Sequence, residues 1–258
     1  MILRQDIGVS ETQRHVNPAG FKDAYAYEIQ KAVKRLAIKL EKILFQSTVT
    51  AATTLTATSG TGRVMKSFQS FITTNTAYAG ALSAVSGSIG AAGSAGQLDA
   101  SDFNSMLSTI YKAGGNPEQV YVSPAVKRQI SVMTVPGAST SNLTNRNIAA
   151  VDKKLVSSID FYDSDFGLIQ IVLDRWVPEG TNTSSAASAA TDVSGQCFFL
   201  QRSMNRLAWL RPMQHSLVGK RGDSVAGVCV GEVTLEVLNE KANGRIMSIN
   251  NKMTGVSS

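Results

Sequence analysis

The chain has 258 residues, 43% hydrophobic and 17% charged, which is enough to bury a sizeable core in one large domain or two lobes. Twenty-five Lys and Arg against nineteen Asp and Glu leave a formal charge of +6, which favours an anionic partner but is more diffuse than a dedicated nucleic-acid module would carry. The opening Met1-Ile2-Leu3-Arg4-Gln5-Asp6 is no signal peptide, no later run reaches the ~18 residues of a membrane span, and Cys197 and Cys229 lack metal or redox spacing, so buried reduced thiols and no membrane segment are expected.

From Ile2 to Val16 the residues alternate loosely around Ile7 and Val9, as an exposed strand or arm does, with no partner in a local hairpin. Asn17-Pro18-Ala19-Gly20 breaks it. Phe21 to Gln46 then contains no Gly or Pro, and Tyr25, Ile29, Val33, Leu36, Leu40 and Ile43 recur at steps of three or four. The spacing predicts one amphipathic helix of about 39 Å at 1.5 Å per residue. Ser47 to Gly62 is rich in Thr and Ala; Phe68, Phe71 and Ile72 form a short apolar patch. Tyr78 to Gln97 is nearly all Ala, Ser and Gly, too poor in large apolar groups for a core, and reads as an extended or mobile loop.

A helix from about Asp99 to Ala113 follows, with Asp99 or Ser101 able to cap it and Gly114-Gly115 ending it. Gln119 to Val122 is a short strand. Ser123-Pro124 starts a helix to Met133, with Pro at the first-turn position where its missing N–H costs nothing. Val135 to Asn147 is a polar loop. Ile159 to Tyr162 and Leu168 to Leu173 read as two strands joined through Asp163-Ser164-Asp165-Phe166-Gly167. After a Ser/Ala/Thr loop at Pro178 to Gly195 come strands at Cys197 to Leu200, Leu207 to Leu210 and Ser224 to Leu238, the last ordered piece, ended by Asn239 to Gly244. The pattern is α+β, without sustained βαβ alternation or repeats.

Catalytic chemistry finds little support. His15 and His215 pair with no local cysteine or carboxylate at zinc spacing, and no Gly-x-Ser-x-Gly elbow accompanies them. The glycines at 87, 90, 93 and 96 follow no strand and precede no Gly-Lys-Ser or Gly-Lys-Thr. Arg221-Gly222-Asp223 is better read as a turn than as an adhesion tripeptide. Asp163 and Asp165 invite an acid/base or calcium reading, yet with Gly167 they sit where a β-turn favours Asp, whose side chain bonds nearby backbone N–H groups. Lys31, Lys34, Arg35, Lys39 and Lys42 form a basic helix face that either contacts phosphate or is simply solvated. No enzyme activity, metal or cofactor is expected.

Several segments carry a resemblance: Val9-Ser10-Glu11-Thr12-Gln13, the helix from Ala19-Gly20 to Glu41, Tyr111-Lys112-Ala113-Gly114-Gly115-Asn116-Pro117, and Phe161-Tyr162-Asp163-Ser164-Asp165-Phe166-Gly167 with Arg175 downstream. Leu210-Arg211-Pro212, Gly222-Asp223 and Glu232-Val233-Thr234-Leu235-Glu236-Val237 complete them. In order and spacing, from Val9 to Ile246, the chain resembles the SU-ten-like family of tailed-bacteriophage major capsid proteins, which have the Hong Kong 97 fold.

The resemblance implies a shell subunit that self-assembles through hexamers and pentamers into an icosahedral capsid around double-stranded DNA, in the host bacterial cytoplasm. Portal, scaffolding and decoration proteins are the further partners it suggests. It implies residues 1–16 as the second strand of an extended loop over an adjacent subunit, and 17–97 as a peripheral domain with a spine helix at 21–46 and a flexible segment. It makes 98–211 an axial domain, and 212–258 a return to the peripheral domain through a long strand at 224–238. Family members usually carry an N-terminal arm and the outgoing strand of that loop before this point, so the chain is expected to start partway through its own loop. No self-crosslinking lysine–asparagine pair is supplied. Lys31, Lys34 and Lys42 are the residues expected to face DNA on the inner surface. The rival readings are an encapsulin-like compartment subunit, which shares the fold, and a basic nucleic-acid-binding protein.

Overall fold

The computed structural model describes residues 1–16, 20, 23–46, 65–79, 98, 100–133, 148–149, 154–155, 160–178, 195–219 and 222–249. The break at 17–19, most of the small-residue loops expected at 47–62, 78–97, 135–147 and 178–195, and Arg221 of the tripeptide lie outside them. In chain order the elements are β1 (Ile2–Ser10), α1 (Glu11–His15), α2 (Ala24–Gln46), α3 (Phe68–Phe71), β2 (Thr76–Tyr78), α4 (Ala100–Lys112), β3 (Gln119–Val122) and α5 (Pro124–Met133). They continue with β4 (Ile148–Ala149), β5 (Lys154–Leu155), β6 (Phe161–Ser164), β7 (Gly167–Leu173), β8 (Gly195–Leu200), β9 (Asn205–Leu217), β10 (Ser224–Val237) and β11 (Gly244–Ile249). Two compact units result, one formed by Met1–Ser70 with Arg206–Glu236, the other by Phe71–Asn205 with Val237–Ser258.

The first unit is a three-stranded sheet, β1-β10-β9, with α2 on one face. β1 lies antiparallel to β10 over its whole length, from Ile2 opposite Glu232 to Ser10 opposite Ser224. Side chains alternate across a strand, so Leu3, Ile7 and Val9 share a face with Cys229 and Val233, and these bury against Ala24, Tyr25, Ala32 and Leu36 of α2. Each large side chain so buried contributes about 1.5–3 kcal/mol. The strand expected to run to Val16 stops at Ser10, whose hydroxyl accepts the Gln13 N–H at 3.3 Å and starts α1. Asp23 does the same for α2, accepting the Tyr25 N–H at 2.9 Å. Of the expected α2 stripe, Tyr25 and Leu36 are buried and Ile29 and Leu40 pack against the same cluster, while Val33 is 45% exposed and Ala32 beside it is 1% exposed. A small residue sits at the close approach of helix to sheet.

The second unit centres on a six-stranded mixed sheet, β2-β11-β8-β3-β7-β6. Val120, Val122, Ile169, Ile171, Cys197, Phe199 and Ile246 line one face and bury against Phe103, Met106, Leu107 and Ile110 of α4 and Val126 and Ile130 of α5. Ser123 caps α5 through its hydroxyl to the Val126 N–H at 3.5 Å, with Pro124 at the first helical position. Gly114, at φ +86°, ends α4, and Gly115 brings its backbone so close to Ala242 that a Cβ there would lie 2.6 Å from the Ala242 Cα.

Two features of this unit differ from the sequence reading. β3 pairs in parallel with β7, across the intervening α5. β11 is a buried strand beyond the segment taken as the last ordered piece. Residues 237–249 pack in this unit, as do 71–79. The link into β11 is held by polar groups. The fully buried Asn243 amide accepts from the Gln201 N–H at 3.1 Å and from Asn205 Nδ2 at 2.7 Å, and donates to Asn205 Oδ1 at 3.1 Å and the Asn239 carbonyl at 3.2 Å. One oxygen of Glu240 accepts the backbone N–H groups of Thr73 and Thr74 at 2.7 and 2.6 Å.

Candidate functional site

Flanking its buried stripe, α2 presents Lys31, Lys34, Arg35, Lys39 and Lys42, which at 100° per residue fall within one broad arc of the helix. Lys34, Arg35 and Lys39 are exposed. Lys31 is engaged: its ammonium meets Glu28 at 2.8 Å and lies 4.2 Å from the centre of the Tyr27 ring. That hydrogen bond holds the Glu28 carboxyl below its ordinary range. The expected trio of Lys31, Lys34 and Lys42 thus shares one face with Arg35 and Lys39, and the Glu28 carboxylate lies against its Lys31 and Arg35 end.

At the open edge of the second unit's sheet, β6 and β7 form the expected hairpin, with Ser164 opposite Gly167 and only Asp165 and Phe166 between them. Ser164, and not an aspartate, makes the turn's side-chain bonds: its hydroxyl accepts the Phe166 N–H at 3.3 Å and donates to the Gly167 carbonyl at 2.9 Å. Gly167 adopts φ +123°, which disfavours any side chain. Asp163 lies in β6 opposite Leu168, and Asp165 lies in the turn; both are exposed. The hairpin is fixed on α4 by the Tyr162 hydroxyl donating to Asn104 Oδ1 at 2.8 Å, by Tyr162 edge-on to Phe103, and by Phe166 against Tyr111. Its other face carries Phe161 and Leu168, 59% and 62% exposed. The sequence reading missed this face, although an apolar residue flanking each strand's polar one on the outward parity was visible.

In the first unit β9 is an edge strand, like β1, and an edge is where a strand can hold a residue without an N–H such as Pro212. Trp209, Leu210 and Leu217 are exposed along it. Arg206 pairs with Glu236 at 2.8 Å and Arg211 with Glu232 at 3.1 Å, tying the edge to β10. His215 lies 2.8 Å from the Tyr25 hydroxyl, over Gly227, where a Cβ would collide with that hydroxyl. The second histidine, His15, is exposed in α1, so the structure does not bring the two together as a catalytic pair. Among the described residues no group of three or more His, Cys, Asp or Glu could hold a metal, and no helix is long and apolar enough to cross a membrane. Cys197 and Cys229 are free and buried, and burial pushes both thiols up.

The fold is that of shell-forming capsid subunits. The chain is similar to the cyanophage A-1(L) capsid subunit, with TM-score 0.62 and 13% identity over 96% of this chain and 77% of that one. It is similar to the SrpI encapsulin of Synechococcus elongatus PCC 7942, with TM-score 0.61 and 9% identity over 100% of this chain and 77% of that one. The capsid of Myoviridae phage XM1 gives TM-score 0.56 and 12% identity over 96% and 72%. These likenesses place the chain in the Hong Kong 97-type fold class. No curated protein matches the sequence. The family model for the SU10 major capsid protein matches residues 1–250, and the chain belongs to that family: it is a structural, major capsid protein of a phage virion shell.

Proposed function

We propose that copies of this chain assemble as hexamers and pentamers into an icosahedral shell around double-stranded phage DNA, in the host bacterial cytoplasm, with the α2 basic face turned inward. The family membership over residues 1–250 carries this reading. In it the first unit serves as the peripheral domain, with α2 as spine helix, and the second as the axial domain. Modest interfaces repeated by symmetry sum to a stable container, so a subunit needs surfaces and not an active centre. Lys34, Arg35 and Lys39, with Lys31 and Lys42 beside them, suit phosphate contact without sequence readout. Portal, scaffolding and decoration proteins would meet the outer or vertex surfaces.

Electron microscopy of the expressed protein and of virions tests this. Closed shells containing nuclease-protected DNA, with α2 lysines on the inner wall, are expected. Shells holding protein cargo and no DNA would favour an encapsulin-like compartment, a dispersed monomer that binds DNA with a steep salt slope would favour a nucleic-acid-binding protein, and lysines on the outer wall would refute the inward assignment.

A further inference from the structure

The β6–β7 hairpin has two unlike patches at opposite ends of β7. At the turn, Leu168 and Phe161 stand exposed on the face away from α4, rimmed by Asp163 and Asp165, neither of which has an ion-pair partner among the described residues. At the far end Leu173 is 56% exposed beside the exposed Arg175. That end is tied to β3 and to its own turn: the Asp174 N–H donates to the Val122 carbonyl at 3.0 Å, and Asp174 Oδ1 accepts the Trp176 N–H at 2.9 Å. Successive strand side chains alternate faces, so Leu168 and Leu173 point to opposite faces of the sheet. Five residues at ~3.3 Å each put them roughly 17 Å apart, too far to satisfy one another within a copy.

One patch is apolar and acidic, the other apolar and basic, and they face apart. Two different patches of one chain that complement each other make a heterologous contact, which generates a ring when the rotation closes. We propose that a second copy of this chain occupies the acidic patch: its Leu173 packs against Phe161 and Leu168, and its Arg175 lies between Asp163 and Asp165. This rests on the capsid reading and names residues through which adjacent copies meet around a ring. A small patch with partly exposed ion pairs is a weak contact by itself and gains strength by repetition.

Charge reversal and crosslinking test it in the full chain. Asp163→Arg with Asp165→Arg, or Arg175→Asp, should each raise the concentration needed for half-assembly about tenfold or more, since opposed charges become like charges across every contact. Combining the three substitutions should return assembly to near the parent's. Separately, a mixture of Leu168→Cys and Leu173→Cys chains should form a disulfide-linked dimer on mild oxidation that neither variant forms alone; Cys197 and Cys229 are buried and silent. Circular dichroism verifies that each variant folds. If the parent forms shells but the reversals assemble normally, or the combined variant is no better than the single reversals, or no mixed dimer appears, this contact is wrong and the capsid reading stands. If the parent forms no oligomer under any condition, both are overturned.

Discussion

Replacing Asn243 by Ala should destabilise the second unit by about 3–5 kcal/mol. The lost side chain is fully buried and makes two bonds as acceptor, to the Gln201 N–H and Asn205 Nδ2, and two as donor, to Asn205 Oδ1 and the Asn239 carbonyl. Each bond contributes about 1 kcal/mol net, and a buried partner left unsatisfied adds to that, partly offset where water can reach it. The two tryptophans make the measurement local, because Trp176 belongs to the second unit and Trp209 to the first. In a Trp209→Phe background, urea unfolding followed by fluorescence reports the second unit alone, and the midpoint should fall with little change in slope. Hydrogen exchange at Gln201 should accelerate in parallel. Asn243→Asp separates the roles: it keeps the acceptors, loses both donors and buries a charge, so at neutral pH it should cost at least as much as Ala. A loss below about 0.5 kcal/mol for Asn243→Ala would show that the network is not what joins β8, the Asn205 corner and β11.

Three further outcomes are expected. Gly115→Ala should cost about 2–3 kcal/mol in thermal or urea unfolding, because the new Cβ meets the Ala242 Cα at 2.6 Å; Gly244→Ala should cost less, its nearest neighbours at 2.6 and 2.9 Å being the flexible ends of Ile110 and Met106. Burial pushes the Glu240 carboxyl up, but bonds from the Thr74 and Thr73 backbone and hydroxyls outweigh it and leave the group below its ordinary value. A lowered folded-state value means stability that is present above the unfolded value of about 4.3 and lost as pH falls through the folded one, so Glu240→Gln should flatten that part of the acid-unfolding profile. Finally, with Cys197 and Cys229 buried and their thiols pushed up, a disulfide reagent at about pH 8 should label neither in the native protein and both in urea; rapid native labelling would contradict the buried assignment.

The legible parts of the fold were those with a strong local period. α2 stood out because no Gly or Pro interrupts it, and the β6–β7 hairpin because Ser164 to Gly167 concentrates turn residues. The α2 stripe was legible except at Val33, because counting large apolar residues passes over Ala32, which close helix–sheet contact selects. α1 carried a readable sign in Ser10-Glu11-Thr12-Gln13, which has the capping-box spacing. β11 had none: Arg245 and Ser248 interrupt its apolar residues, and its pairing with β8 and β2 is set by distant chain. The basic face of α2 was visible, but the neutralisation of Lys31 by Glu28 depends on rotamers that a sequence does not display.

The pairing of β1 with β10 sets a schedule for making the subunit. Ile2 finds its partner in Glu232, so β1 has no β10 to lie against until a further 230 residues (232 − 2) have been made. At 5–20 residues per second of synthesis that is a wait of roughly 10–45 s, far longer than a helix needs to form. During it α2 is already made, yet the sheet face that buries Tyr25, Ala32 and Leu36 lacks its middle strand. A chain cut short before β10 therefore has no finished first unit to offer a neighbour.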